Sequence, residues 1–274
     1  MNLDIVLITA LFAAILAFVL GVLLGVFKDI FHVEEDPLKG LAREILPGAN
    51  CGGCGFPGCD GYAAAVAAKT AETNKCTVGG QAVAEKLAAL VGSNAGAMIP
   101  VVAVPVCQGS PDNAGAKGAY TGLQTCRGAK LSAGGSKLCI YGCLGFGDCT
   151  LVCQFGALSM GKNGLPKVDI SKCTGCKVCV AECPQGVLKA VPRDGKGAFL
   201  LCSNRNLVKG GVKKTCKVGC LKCGSCEKNC PEQAITMVNG LPVVDYAKCT
   251  SCGTCAEKCP SKGFKFLERD ILAS

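Results

Sequence analysis

The chain opens on an unbroken apolar run. Ile5 to Phe27 reads IVLITALFAAILAFVLGVLLGVF, 23 residues without a charge. As a helix this is about 35 Å long, enough to cross a hydrocarbon core of ~30 Å. A cleaved signal peptide would show a shorter run behind a basic leader, whereas Asp4 stands in that place. The run predicts a retained transmembrane anchor. Lys28, Lys39 and Arg43 follow it and no Lys or Arg precedes it. The positive-inside rule then puts the N-terminus outside the cell (inner) membrane and the remaining chain in the cytoplasm, a single-pass arrangement.

Beyond the anchor the pattern shortens. A charged connector holds the lone His32, expected to be interfacial or solvated, and a short amphipathic helix around 37–45. An Ala-rich helix is predicted over Asp60 to Thr73 and another over Gly80 to Val91. Ile99 to Val106 (IPVVAVPV) reads as a strand ending at Cys107, and GAFLLC as a second ending at Cys202. The two strands could pair, which would bring those cysteines together. From Cys139 onward a whole unit repeats: the segment starting at Cys149 aligns with that starting at Cys226. Each copy carries two short strands about an Asn-Gly-Leu-Pro turn (Asn163 to Pro166, Asn239 to Pro242), a β-hairpin signal. Two copies of one module follow.

Composition changes the picture through one residue type. The chain has 24 cysteines against one histidine, no tryptophan and four tyrosines. A reducing cytoplasm disfavours disulfides and turns these cysteines toward metal. The net charge of +9 is spread out, with neither basic stripe nor aromatic platform, so nucleic acid is not an expected partner.

The spacing names the metal. Cys173, Cys176, Cys179 and Cys183 form C-x2-C-x2-C-x3-C followed by Pro184. Cys220, Cys223, Cys226 and Cys230 repeat it before Pro231, and Cys249, Cys252, Cys255 and Cys259 before Pro260. This is the bacterial ferredoxin run, in which three thiolates hold one [4Fe–4S] cluster and the fourth reaches to another. The cysteine before proline is expected to leave the loop at a helix start. Zinc shares the C-x2-C pair, but the third cysteine and the proline oppose it. Cys139, Cys143, Cys149 and Cys153 supply the missing partner run with stretched spacing and Gln154 in place of proline. The crossover rule joins Cys139, Cys143 and Cys149 to Cys183, and Cys173, Cys176 and Cys179 to Cys153. It joins Cys220, Cys223 and Cys226 to Cys259, and Cys249, Cys252 and Cys255 to Cys230. Cys51, Cys54, Cys59 and Cys76 form a fifth set within a glycine-rich loop and helix. Cys107, Cys126, Cys202 and Cys216 are left over. Brought together they could ligate a sixth cluster or a zinc ion, against the alternative of buried structural thiols. Cys216, Cys220 and Cys223 also fit the C-x3-C-x2-C loop of radical-SAM enzymes. That motif opens a long barrel, though, and fewer than sixty residues follow here.

An anchor, then NCGGCGFPGC with a distant Cys76, then tandem ferredoxin motifs resembles the B-subunit family of Rnf-type (Rsx-type) ion-translocating ferredoxin:NAD oxidoreductase complexes, in the longer form with two dicluster modules. The resemblance implies a subunit that takes electrons from reduced soluble ferredoxin. It would pass them through [4Fe–4S] clusters to other subunits of the complex, ending at NAD, while the complex moves Na⁺ or H⁺ outward. No bond chemistry is expected in this chain itself. An iron–sulfur subunit of a membrane hydrogenase or formate dehydrogenase is the related alternative; a zinc-stabilised membrane scaffold is the alternative of another class.

The expected fold is α+β: a single transmembrane helix over 1–28, held in membrane lipid, then a small helical one-cluster domain over 29–92. A strand-containing insert over 93–138 packs with a second over 190–216. Dicluster ferredoxin-like modules occupy 139–189 and 217–274. Arg193, Lys196, Arg205, Lys209, Lys213, Lys214, Lys217 and Lys222 gather at the module junction, as a solvated loop or as a dock for acidic ferredoxin.

Overall fold

The computed structural model describes residues 3–31, 36–132, 134–194 and 196–267; His32 lies outside them. Helix α1 (Leu3–Ile30) places Asp4 in its first turn and Lys28 in its last, each favourable to the helix dipole. Ile8, Phe12, Phe18 and Leu24 point outward with no protein cover. Over Leu7–Lys28 the helix is long and apolar enough to cross a membrane.

Three helices then form a small bundle: α2 (Pro37–Ile45), α3 (Gly58–Ala67) and α4 (Gly80–Val91). Asp36 caps α2 by accepting from the Leu38 N–H at 2.9 Å, and Pro37 takes the first turn. Ala42, Tyr62, Val66, Leu87 and Val91 close the core. Helix α3 stops short of the predicted Thr73. Lys69 turns to φ 56°, and the N–H groups of Thr70 and Ala71 fold back onto the Ala65 carbonyl. The chain then doubles back along α3. The buried Tyr62 hydroxyl donates to the Glu72 carbonyl at 2.8 Å and accepts from the Lys75 N–H at 3.2 Å, which sets Cys76 beside the helix.

The rest is built from very short elements. In chain order they are β1 (Val101–Pro105), α5 (Cys126–Ser132), α6 (Asp148–Leu151), β2 (Leu158–Met160), β3 (Pro166–Val168), α7 (Val178–Glu182), β4 (Leu188–Pro192), β5 (Ala198–Leu200), α8 (Ser225–Lys228), β6 (Ile235–Val238), β7 (Leu241–Val244), α9 (Thr254–Glu257) and β8 (Phe264–Phe266). The two predicted hairpins are β2–β3 and β6–β7, in register Leu158 to Val168 and Ile235 to Val244.

The expected pairing of the two cysteine-bearing strands is not what forms. β1 pairs with β4, Ala103 opposite Ala190, and β5 pairs with β8, Phe199 opposite Lys265. β4 and β8 hold the same place, just after the cysteine–proline of each module. Each insert thus lends one strand to a module's unpaired last strand, satisfying backbone groups that would otherwise lie open. Two cores result, one around Val102, Val104, Leu188 and Phe199, the other around Ala198, Ile235, Phe264 and Phe266.

Candidate iron–sulfur centres

The three C-x2-C-x2-C runs share one backbone. In each, the residue before the second cysteine is left-handed: Gly175 (φ 70°), Lys222 (58°) and Ser251 (60°). So is the residue after it: Lys177 (64°), Gly224 (72°) and Gly253 (95°). Alternating hands turn successive N–H groups inward, the concave nest that suits anionic centres such as thiolate-bound clusters. One turn of helix then follows (α7, α8, α9), carrying Cys179, Cys226 and Cys255, all buried. The cysteine before proline therefore lies at the end of a helix, not at the start of one as the sequence suggested. Proline forbids the helix to continue and holds the preceding residue extended, as at Cys183 (φ −70°, ψ 107°).

Cys153 joins Cys173, Cys176 and Cys179 around one cavity, and Cys230 joins Cys249, Cys252 and Cys255 around another. Cys259 sits beside Cys220 in the group of Cys220, Cys223 and Cys226. Cys51, Cys54 and Cys59 surround Cys76. The remaining eight divide differently from the spacing rule. Cys126, not Cys139, lines the cavity with Cys143, Cys149 and Cys183. Cys139 lines another with Cys107, Cys202 and Cys216.

Burial pushes the Cys143 and Cys179 thiols up to about 12, and neighbouring thiols add to the rise. Four such groups cannot all ionise without a compensating cation, and an iron core is one. Among the described residues no group of three or more His, Cys, Asp or Glu is placed to hold a single metal ion. A zinc ion gathers its sulfurs on one atom at about 2.3 Å, whereas a cubane spreads its four thiolates over four irons. All-thiol sets of four suit [4Fe–4S] clusters. Backbone N–H groups already point at the sulfurs: Gly79 to Cys76 and Gly263 to Cys259 at 3.4 Å, Ala234 to Cys230 at 3.3 Å, Ala103 of β1 to Cys173 at 3.5 Å. Such bonds tune cluster potential.

Comparison with known proteins agrees with this chemistry. The FeS family model, an Fe-S cluster domain, matches residues 46–78, and the 4Fe-4S dicluster domain matches 138–187 and 219–263. The B subunit of the Na(+)-translocating ferredoxin:NAD(+) oxidoreductase complex of Acetobacterium woodii is 41% identical over 80% of this chain, which spans 65% of that relative's length. The B subunit of the ion-translocating oxidoreductase complex of Methanosarcina acetivorans is 41% identical over 80% of this chain and 82% of its own. The proton-translocating counterpart from Clostridium ljungdahlii is 43% identical over 78% and 75%. The chain belongs to this B-subunit family.

Within this B subunit, Cys107, Cys126, Cys202 and Cys216 fall outside all three matched segments. Sequence reasoning also placed Lys222 on the junction surface, where the structure buries it at 5% exposure. Its ammonium donates to the carbonyls of Asn204 (2.7 Å) and Gly240 (3.0 Å), and its charge lies near Cys220 and Cys202. Two polar side chains were missed altogether. Asp148 accepts from the N–H groups of Cys126 (3.0 Å) and Arg127 (3.2 Å), and Asn204 donates to Cys139 Sγ at 3.7 Å. The one available signal was negative: the stretched spacing at Cys139 to Cys149 and the absent proline.

Proposed function

We propose that this chain is the electron relay of an ion-translocating ferredoxin:NAD oxidoreductase, anchored by α1 and taking electrons from reduced ferredoxin toward the other subunits. Iron–sulfur clusters bound at these thiols would supply reversible one-electron chemistry. The chain's own part is to hold the thiol sets next to one another, and one observation carries the reading: the sets abut in an unbroken row. Gly53, between Cys51 and Cys54 of the first set, packs against the Cys176 carbonyl of the second. Cys149 packs in one core with Cys179, the Cys143 N–H donates to the Cys107 sulfur at 3.4 Å, and Cys202, Cys220, Cys226 and Cys255 share the next core. The row runs from the domain nearest α1 to the last module.

The exposed thiols Cys223 and Cys252 both lie in that last module, far along the row from α1. Nearby, Lys209, Lys213, Lys214 and Lys217 are exposed around Leu207 (71%) and Val208 (64%). An apolar spot rimmed by lysine suits a small acidic electron carrier, with charge speeding encounter. Arg193 and Lys222 are not part of this rim: the Arg193 guanidinium donates to the Cys173 carbonyl, and Lys222 is buried. The finer domain boundaries, the outward N-terminus and lipid contact along α1 belong to the same proposal.

The test is anaerobic mixing of the holo chain with reduced ferredoxin. Bleaching of its visible iron–sulfur absorbance, slowed by salt, supports the relay; no bleaching by ferredoxin while dithionite still bleaches it removes ferredoxin as the donor.

A further inference from the structure

Two ferredoxin-like modules side by side do not make one conductor, because nothing in a dicluster motif reaches beyond its own pair. The leftover cysteines fill that gap. We propose that Cys107, Cys139, Cys202 and Cys216 ligate a [4Fe–4S] cluster bridging the two modules, and that Cys126 takes the place of Cys139 beside Cys143, Cys149 and Cys183. The proposal rests on the relay reading above and adds a ligand set that neither spacing nor the matched family models assign.

Four separate segments build the bridge, each held by its own bonds. β1 delivers Cys107, whose sulfur accepts from the N–H groups of Gly109 and Cys143, both at 3.4 Å. β5 delivers Cys202, beside Cys107 and Cys220. Cys216 is fixed by a β-bridge to Ala114 and by the Lys217 N–H donating to the Asn113 carbonyl at 2.9 Å. Cys107 and Cys139 are the thiols that bear on it. Cys139 is turned toward this cavity, where Asn204 reaches its sulfur. The Ser203 hydroxyl ties the same turn down through the Tyr141 carbonyl at 2.6 Å.

Cys126 fills the place so released. Asp148 carries its carboxylate to the Cys126 and Arg127 N–H groups from the helix that holds Cys149, so one side chain pins Cys126 to the neighbouring site. Both Cys143 and Cys149 sense its thiol. The position of the bridge follows from its ends: Cys107 touches Cys143 of module one, and Cys202 lies beside Cys220 of module two. The donor set is all thiol and the cavity is enclosed by Val212, Leu201, Val218 and Ala114. This fits a cluster.

Paired substitutions in the full chain, reconstituted anaerobically and assayed for iron and sulfide, test the assignment. Wild type is expected to hold about 24 irons. C139S/C216S should lose about four, since both residues serve one site, and C139S/C183S about eight. Retention of the other irons reports that each variant has folded. The opposite pattern, four lost from C139S/C183S and eight from C139S/C216S, overturns the proposal. So does a wild type with about 20 irons and one zinc. A variant-free measurement decides if the doubles collapse: stepwise oxidative stripping of the wild type with alkylation and peptide mass spectrometry. Cys139 should become labelled in step with Cys107, Cys202 and Cys216; labelling in step with Cys143, Cys149 and Cys183 refutes it. Absence of any cluster from the wild type would instead sink the relay reading itself.

Discussion

Gly53, in the loop between Cys51 and Cys54, is where the first cluster domain meets module one. A Cβ built on it falls on the Cys176 carbonyl, well inside the 3.0 Å that real Cβ atoms essentially never breach. Its φ is not among the positive ones, so alanine brings no backbone strain of its own. Gly53→Ala therefore isolates one contact. The contact at Cys176 is backbone, held behind by Gly175 packed on Val101, and cannot swing aside as a flexible side chain would. The two loops must part by on the order of 1 Å, an over-packing cost of about 1–3 kcal/mol. Charged to the docking of the two domains, this shifts the docked population by roughly 5- to 150-fold. Both sites keep their four cysteines, so iron content should stay at the wild-type value. The magnetic interaction between the first two clusters, read by EPR of the reduced chain, should weaken. Gly40→Ala, inside α2 with nothing near its Cβ, is the control: it should leave the EPR line shape unchanged and stabilise the helix by about 0.5–1 kcal/mol. If Gly53→Ala keeps the wild-type EPR line shape and urea midpoint, the domains do not dock as described.

Lys222→Met removes a buried cation beside two thiol sets and leaves two carbonyls unpaired. The potentials of the clusters at Cys202 and Cys220 should fall by on the order of tens of millivolts in an EPR redox titration, with a stability loss of about 1–3 kcal/mol. Tyr62→Phe strands the Glu72 carbonyl and the Lys75 N–H. Urea unfolding of the first domain should move by about 1–3 kcal/mol, and iron release from that site should quicken, with the two modules unaffected. Lys213→Glu with Lys214→Glu and Lys217→Glu should slow reduction by ferredoxin at low salt and flatten its salt dependence; an unchanged rate and salt profile removes the lysine rim from docking.

Much of this architecture was legible because chemistry fixed the spacing. Three thiols on one tight loop must recur at x2 steps, so the runs at Cys173, Cys220 and Cys249 announced themselves. The hairpins followed from Asn-Gly turns, and α4 from its apolar period and the glycine after it. The partners of β1 and β5 were not legible. Two short apolar strands look alike in sequence, and only the open edge that β4 and β8 leave decides what they pair with. The exchange of Cys126 for Cys139 was hidden for a similar reason. It depends on Asp148 and Asn204, polar residues whose neighbours are 22 and 65 positions away. Lys222 misled because a lysine in a basic stretch is ordinarily solvated, whereas here its left-handed loop position turns it inward.

If the thiol sets form one conductor, an electron that enters at one set reaches all of them. Freeze-quench EPR of the holo chain, mixed anaerobically with less than one equivalent of reduced ferredoxin, tests it most directly. Electrons should appear in signals from both modules and from the domain next to α1. Signals confined to the second module, however long the mixture ages, would contradict it.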